Sequence, residues 1–81
     1  TFTVDSCNWL IPEELVFNCP IDVQIRYNHD AKPARITRDS DTEITVQFEK
    51  PENAITPGQS AVFFQDGNVV GGGIIRSIPN L

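Results

Sequence analysis

Two stretches of the chain alternate strictly between apolar and polar residues. In residues 21–27 every odd position carries an aliphatic or aromatic side chain, and in residues 43–49 the even positions do. Alternation with a period of two is typical of an antiparallel strand that buries one face and leaves the other in water. The sequence therefore predicts two half-buried strands, one in each half of the chain.

Shorter apolar segments predict further strands. A first strand is expected over Val4–Leu10, and a short strand at a sheet edge over Ala34–Thr37. Ser60–Gln65 is apolar and β-prone, and Val69–Ile75 resumes a strand after an intervening turn. Pro12–Leu15 could open one turn of helix, because Pro suits the first helical position, but the segment is too short for a stable helix.

Two dipeptides mark turns with specific backbone requirements. Pro57 and Gly58 fit the central positions of a type II turn, because Pro presets φ at the first position and Gly supplies a positive φ at the second. Asp66 and Gly67 fit a type I′ hairpin turn, in which both central residues have positive φ. The second dipeptide predicts a tight hairpin between the last two strands.

The predicted elements are six or seven short strands, spaced roughly 8–12 residues apart, with no convincing helix. Closure into a barrel removes exposed strand edges, so we expect an all-β fold, a small closed antiparallel barrel of about six strands. Gly71, Gly72 and Gly73 interrupt the last strand, as at a bulge or a sharp barrel corner without room for side chains. Residues 1–81 are expected to form a single domain.

Composition narrows the classes of function. The chain carries six Lys and Arg against eleven Asp and Glu, for a formal net charge of −5. This charge argues against a self-sufficient nucleic-acid binder, whose domain is usually basic. No apolar run approaches the roughly 20 residues of a membrane span, so no membrane partner is expected. Cys7 and Cys19 could pair or stay free; we expect reduced thiols, since nothing else suggests secretion.

The sequence offers no catalytic group. Its one histidine, His29, lies in a polar loop, and neither cysteine has a basic neighbour in sequence that would lower its pKa. Cys7 and Cys19 are therefore expected to be small buried hydrophobes. The glycine run leads into Ile74 and Ile75, which form strands, whereas a phosphate loop leads into a helix. We expect no catalytic residue, no metal site and no cofactor in this chain.

Four basic residues are candidates for a contact with RNA. Arg26, Lys32, Arg35 and Arg38 lie within thirteen residues, on two consecutive predicted strands and the loop between them. If the strands pair, their outward side chains form one basic face beside Tyr27 and His29, which could hold a phosphate backbone. The alternative is an ordinary solvated barrel face, neutralised by neighbouring aspartates.

Five short motifs follow one another along nearly the whole chain. They are Asn8-Trp9, Ile25-Arg26-Tyr27, Val46-Gln47-Phe48-Glu49-Lys50-Pro51, Ile55-Thr56-Pro57-Gly58-Gln59 and Gly71-Gly72-Gly73-Ile74-Ile75. In this order they resemble the C-terminal segment of the bacterial tRNA-specific 2-thiouridylases, in which a TPGQ segment leads into a hairpin and a GGGxI ending. Gln24 and Asn28 depart from the family pattern, because each replaces a residue that is often basic there.

The resemblance implies a C-terminal, translation-factor-like barrel cut from a longer cytoplasmic enzyme. Such an enzyme activates C2 of the wobble uridine of tRNA with ATP and Mg, and inserts persulfide sulfur that a sulfur-relay protein delivers. Its phosphate loop and catalytic cysteines belong to upstream domains, so no catalytic residue carries over. The resemblance implies an accessory domain that supports tRNA binding and packs on the catalytic and central domains. The alternative is a non-catalytic translation-factor-like barrel that binds a protein partner.

Overall fold

The computed structural model of the chain describes residues 1–17, 19–26, 29–52 and 55–78. The elements in these ranges are, in chain order, β1 (Phe2–Trp9), α1 (Glu13–Phe17), β2 (Ile21–Gln24), β3 (Lys32–Arg38), β4 (Glu43–Phe48), β5 (Ser60–Gln65) and β6 (Asn68–Ser77). No helix within the described ranges has the length and apolar character that crossing a membrane requires.

The six strands close into one antiparallel barrel, in the order β1, β4, β3, β2, β5, β6 and back to β1. The predicted closed barrel is confirmed. The prediction of an edge strand around Ala34–Thr37 is wrong, because closure gives β3 a partner on each side, β2 and β4. β3 is also longer than predicted, since its pairing with β4 continues to Arg38 opposite Ile44.

The period-two patterns fill the barrel interior as predicted. Ile21 and Val23 of β2 are buried, and so are the alternate residues Ile44 and Val46 of β4. β2 ends at Gln24 rather than at residue 27, and the predicted end of this strand at Tyr27 lies outside the described residues. Inward-facing side chains from all six strands form one contiguous core.

The helix α1 closes one end of the barrel, which we call the upper end. The expectation of no convincing helix is wrong here: five residues are helical, and Val16 is completely buried over the core. Propensity alone would not hold so short a helix, so this burial provides its stability. The side-chain amide of Gln65 also donates a hydrogen bond of 3.1 Å to the carbonyl of Leu15. The opposite, lower end carries Lys32 and Phe48.

One turn precedes the closing hairpin of β5 and β6, and a second turn forms its tip. Gly58 has a φ of +92°, and the amide of Gln59 donates to the carbonyl of Thr56 at 3.2 Å, which are the features of a type II turn. At the tip of the hairpin, Asp66 and Gly67 have φ values of +53° and +83°, as a type I′ turn requires.

The glycine run lies in β6, where the neighbouring chain leaves no room for side chains. A Cβ at Gly71 would lie 2.6 Å from the indole of Trp9, and one at Gly73 would lie 2.5 Å from a methyl carbon of Val4. Opposite this run, β1 bulges between Asp5 and Asn8, and the bulged residue Ser6 has a φ of +53°. Bulge and glycines together bend the two strands at this corner of the barrel.

Candidate nucleic-acid interface

The four basic residues do not form one continuous face. On β3, Ala34 and Ile36 are buried, so Arg35 between them points outward from the barrel. Arg38 stands three positions further on, and an odd separation places two strand residues on opposite sides. The expectation of a single shared face is therefore wrong for Arg38, which lies over the upper end of the barrel.

Arg38 is held by groups of its own domain. Its guanidinium contacts a carboxylate oxygen of Glu13 at 2.5 Å and lies 5.2 Å from the ring centre of Phe17. The same guanidinium donates to the backbone carbonyls of Ser40 and Asp41, at 2.9 and 3.2 Å. Arg38 thus ties α1 to the turn between β3 and β4, and a phosphate would have to compete with these contacts.

Lys32 and Arg35 extend outward at the lower end and on the side wall. Within the ranges that the structure describes, neither side chain makes a hydrogen bond or an ion pair. Each borders a shallow depression of about 350–380 Å³ that also contains Glu49. The depression beside Arg35 includes Asp22 as well. A phosphate beside Arg35 would meet one cation and two carboxylates, whereas one beside Lys32 would meet two cations and two carboxylates.

Arg26 lies two residues after Gln24, the last residue of β2. Its backbone carbonyl accepts a hydrogen bond of 3.2 Å from the amide of His29, and the carbonyl of His29 accepts one of 2.7 Å from the side chain of Gln24. Arg26 and His29 are both exposed at the lower end. Tyr27, the predicted aromatic neighbour, lies outside the described residues.

Charge is distributed unevenly between the two ends of the barrel. The upper end, around α1 and the β3–β4 and β5–β6 turns, carries Glu13, Glu14, Asp39, Asp41 and Asp66. The lower end carries basic and acidic residues in equal number among those described: Arg26, Lys32 and Lys50 with Asp30, Glu49 and Glu52. A polyanion would therefore meet less electrostatic repulsion at the lower end than at the upper end.

The two cysteines differ in their surroundings. Cys7 borders a depression of about 300 Å³ with Asp5, Glu13 and Arg38. Burial raises the pKa of the Cys7 thiol, and the nearby Arg38 opposes this only in part. Cys19 is exposed, so the expectation that it is buried is wrong, and both thiols are free. No cluster of metal-ligating side chains occurs among the described residues.

The glycine run does not fit the phosphates of ATP. Gly71, Gly72 and Gly73 lie inside β6, and a Cβ on any of them would meet atoms of β1 or β5 within 3 Å. A phosphate loop instead directs free backbone amides at its ligand from the start of a helix. These glycines instead allow the close packing of β6 against β1 and β5.

Comparison with known proteins gives the family. A family model described as "Aminomethyltransferase beta-barrel domain" matches residues 1–75. The chain belongs to this domain family. Among curated relatives, a protein of Lachnoclostridium phytofermentans named tRNA-specific 2-thiouridylase MnmA is 46% identical over 71 residues, 88% of this chain. Proteins of the same name from Desulforudis audaxviator and Acidobacterium capsulatum are 56% and 37% identical, over 68% and 93% of this chain.

The resemblance to the tRNA-specific 2-thiouridylases is thereby confirmed. These matches cover only part of each relative: 20%, 16% and 21% of the three proteins, respectively. The chain thus spans about a fifth of the length of the relatives it matches and corresponds to their β-barrel domain.

One surface of this β-barrel domain was missed by the reading of the sequence. Four residues share the outward face of β5 and β6, because Val62 pairs with Gly72, Phe64 with Val69, and Ser60 with Ile74. Their side chains are exposed or half-buried. We call this surface the hairpin outer face and define it by Val62, Phe64, Val69 and Ile74. The signal was present in Ser60–Gln65, which is apolar at successive positions rather than at alternate ones.

Proposed function

We propose that this domain is the accessory barrel of a tRNA 2-thiouridylase, an enzyme that inserts sulfur at C2 of the wobble uridine. The observation that carries the proposal is the match of 88% of the chain to a protein named tRNA-specific 2-thiouridylase MnmA. In the proposed parent enzyme, ATP with Mg activates the uridine, and a relay protein supplies the persulfide sulfur. The parent acts in the cytoplasm.

The domain contributes no reacting group to this chemistry. Its half-buried thiol, Cys7, has a raised pKa and would be a weak nucleophile at neutral pH. Its glycine run is enclosed by the barrel. Its role is instead to support tRNA binding and to pack on the catalytic and central domains of the same polypeptide. The domain alone should therefore show no ATP-dependent thiolation of tRNA.

In this proposal, the tRNA backbone is contacted through the lower end and the adjoining wall of the barrel. Arg26, Lys32 and Arg35 supply the cations. Arg38 adds little, because its contacts with Glu13 and Phe17 already occupy its guanidinium. The net charge of −5 opposes capture of RNA by the domain alone, so its contacts act together with those of the other domains.

The salt dependence of tRNA binding by the full-length enzyme tests this role. Replacing Arg26, Lys32 and Arg35 together by Ala should weaken binding and flatten the plot of log affinity against log salt, with each lost phosphate contact reducing its slope by about 1. The Arg38→Ala enzyme is the matched control and should keep the parental slope. Equal slopes for the triple variant and the parent would show that the domain does not touch RNA. A full-length enzyme that failed to thiolate tRNA would contradict the proposed reaction itself.

A further inference from the structure

The hairpin outer face is an apolar surface on the outside of a small barrel. Val69 is 48% exposed and lies directly opposite Phe64, and Val62 stands on the same face. Gly72, opposite Val62, adds no side chain that could cover it. A strand with water on one face normally alternates apolar and polar residues, whereas successive apolar residues are typical of a strand covered on both faces.

The opposite wall of the same barrel shows what a solvated face looks like in this chain. On β3 and β4, Arg35 pairs with Gln47 and Thr37 with Thr45, and these residues point outward. Both walls enclose the same core, so core packing does not explain why one outer face is polar and the other apolar. The apolar residues of the hairpin outer face point to a partner on the outside.

The surroundings of this face discriminate between partners. Closure of the barrel leaves β5 and β6 paired on both sides, so no strand can be added at an edge. Asp22 lies beside Phe64, and Asp66 occupies the adjacent hairpin tip. These carboxylates would repel a phosphate backbone at the upper part of the face, whereas Arg26 borders Val62 at its lower part. The carboxylates would also face one another across a symmetric contact between two copies of the domain.

We infer that the hairpin outer face docks this barrel onto the remainder of the same 2-thiouridylase polypeptide, an inference that rests on the proposed function. The matched relatives are about five times as long as the region they share with this chain, so a covering surface is available within one molecule. The surface that covers the hairpin outer face is apolar at its centre. At its border it presents Lys or Arg toward Asp22 and Asp66.

Hydroxyl-radical footprinting of the full-length enzyme tests this inference, because it reports the solvent accessibility of individual side chains. In the native enzyme, Phe64, Val69 and Ile74 should be labelled far more slowly than in the urea-unfolded enzyme. Val69→Lys places a charge within the contact and should shift the docking equilibrium about tenfold toward the open form, the value of burying one such side chain. Labelling of Phe64 and Ile74 should then rise.

Thr37→Lys is the matched control, since it replaces another exposed β-branched residue on the outer wall by the same cation. It should leave the labelling of Phe64 and Ile74 unchanged. The far-UV circular dichroism of the two variants should be the same, which shows that neither substitution unfolds the barrel.

Three outcomes would overturn the docking inference. Phe64 and Val69 could be labelled freely in the native enzyme, their protection could depend on enzyme concentration as in a dimer, or it could require added tRNA. Thiolation of tRNA is measured on the same parental preparation. Active enzyme with a freely labelled face contradicts the docking inference alone, whereas inactive enzyme with a protected face contradicts the proposed reaction alone.

Discussion

The close contact at Gly71 gives the sharpest prediction about stability. Gly71→Ala adds one methyl group at a position where an ideal Cβ lies 2.6 Å from Cε3 of Trp9 and 2.8 Å from the backbone oxygen of Asn8. The indole of Trp9 cannot simply swing away, because it stacks on Phe63 at 5.3 Å and meets Phe17 edge-on at 5.7 Å. Either the aromatic cluster or the β1–β6 pairing must shift.

Overpacking of this kind costs about 1–3 kcal/mol. We expect Gly71→Ala at the upper end of that range, since one of the two atoms it meets belongs to the backbone of a paired strand. For a domain of this size, each kcal/mol lowers the melting temperature by about 4–8 °C. The loss should therefore be readily measurable in urea or thermal unfolding.

Gly58→Ala is the matched control, because it adds the same methyl group where no atom lies within 4 Å. Its φ of +92° should cost about 1–2 kcal/mol through the backbone alone. Trp9 is the chain's one tryptophan, so native-state fluorescence distinguishes the two mechanisms. Only Gly71→Ala should shift its emission. Unchanged emission, or a loss of stability smaller than that of the control, would refute the steric argument.

Four further predictions concern individual residues. Gly58→Val should destabilise the chain by about 1–3 kcal/mol through its positive φ, and an unchanged urea midpoint would contradict the turn. Arg38→Ala should cost about 1 kcal/mol through loss of the Glu13 ion pair, less in high salt, whereas Arg35→Ala should change the midpoint little. Cys19 should react with a thiol reagent before Cys7. The pKa of the Cys7 thiol is raised in the folded state by burial. The stability that this thiol contributes is therefore complete at pH values below its ordinary pKa of 9.0 and is lost as the pH rises further. Urea unfolding of the parent and of a Cys7→Ala variant over this pH range would check this.

Features encoded by a few adjacent residues could be predicted from the sequence. The alternation around Val23 and Val46 specifies which face of each strand is buried, and Asp66-Gly67 specifies the hairpin turn. The number and spacing of the strands, together with the advantage of removing exposed strand edges, predicted a closed barrel. These signals are local, so no knowledge of distant residues was needed to read them.

Features that depend on distant residues could not be predicted in the same way. The helix α1 forms because Val16 closes the barrel, and its burial depends on strands far away in sequence. The position of Arg38 depends on Glu13 and Phe17, which the fold brings from another element. The bulge in β1 places Ser6, which is not a glycine, at a positive φ, so the sequence carries no local signal for it. For the candidate site the contacts of Arg38 matter most, because they occupy a guanidinium that a phosphate would otherwise meet.

The uneven charge of the barrel reconciles an acidic domain with the proposed role in tRNA modification. The longest dimension of the chain is 32 Å, whereas electrostatic interactions between exposed charges are screened within roughly 10 Å at 0.1 M salt. At physiological salt, the carboxylates around α1 therefore act little on a phosphate near Arg26 and Lys32 at the lower end. At low salt the whole charge of −5 acts on RNA and opposes its approach. Net charge thus disfavours RNA binding by the isolated domain, while the lower end can still contribute local contacts once other domains hold the tRNA.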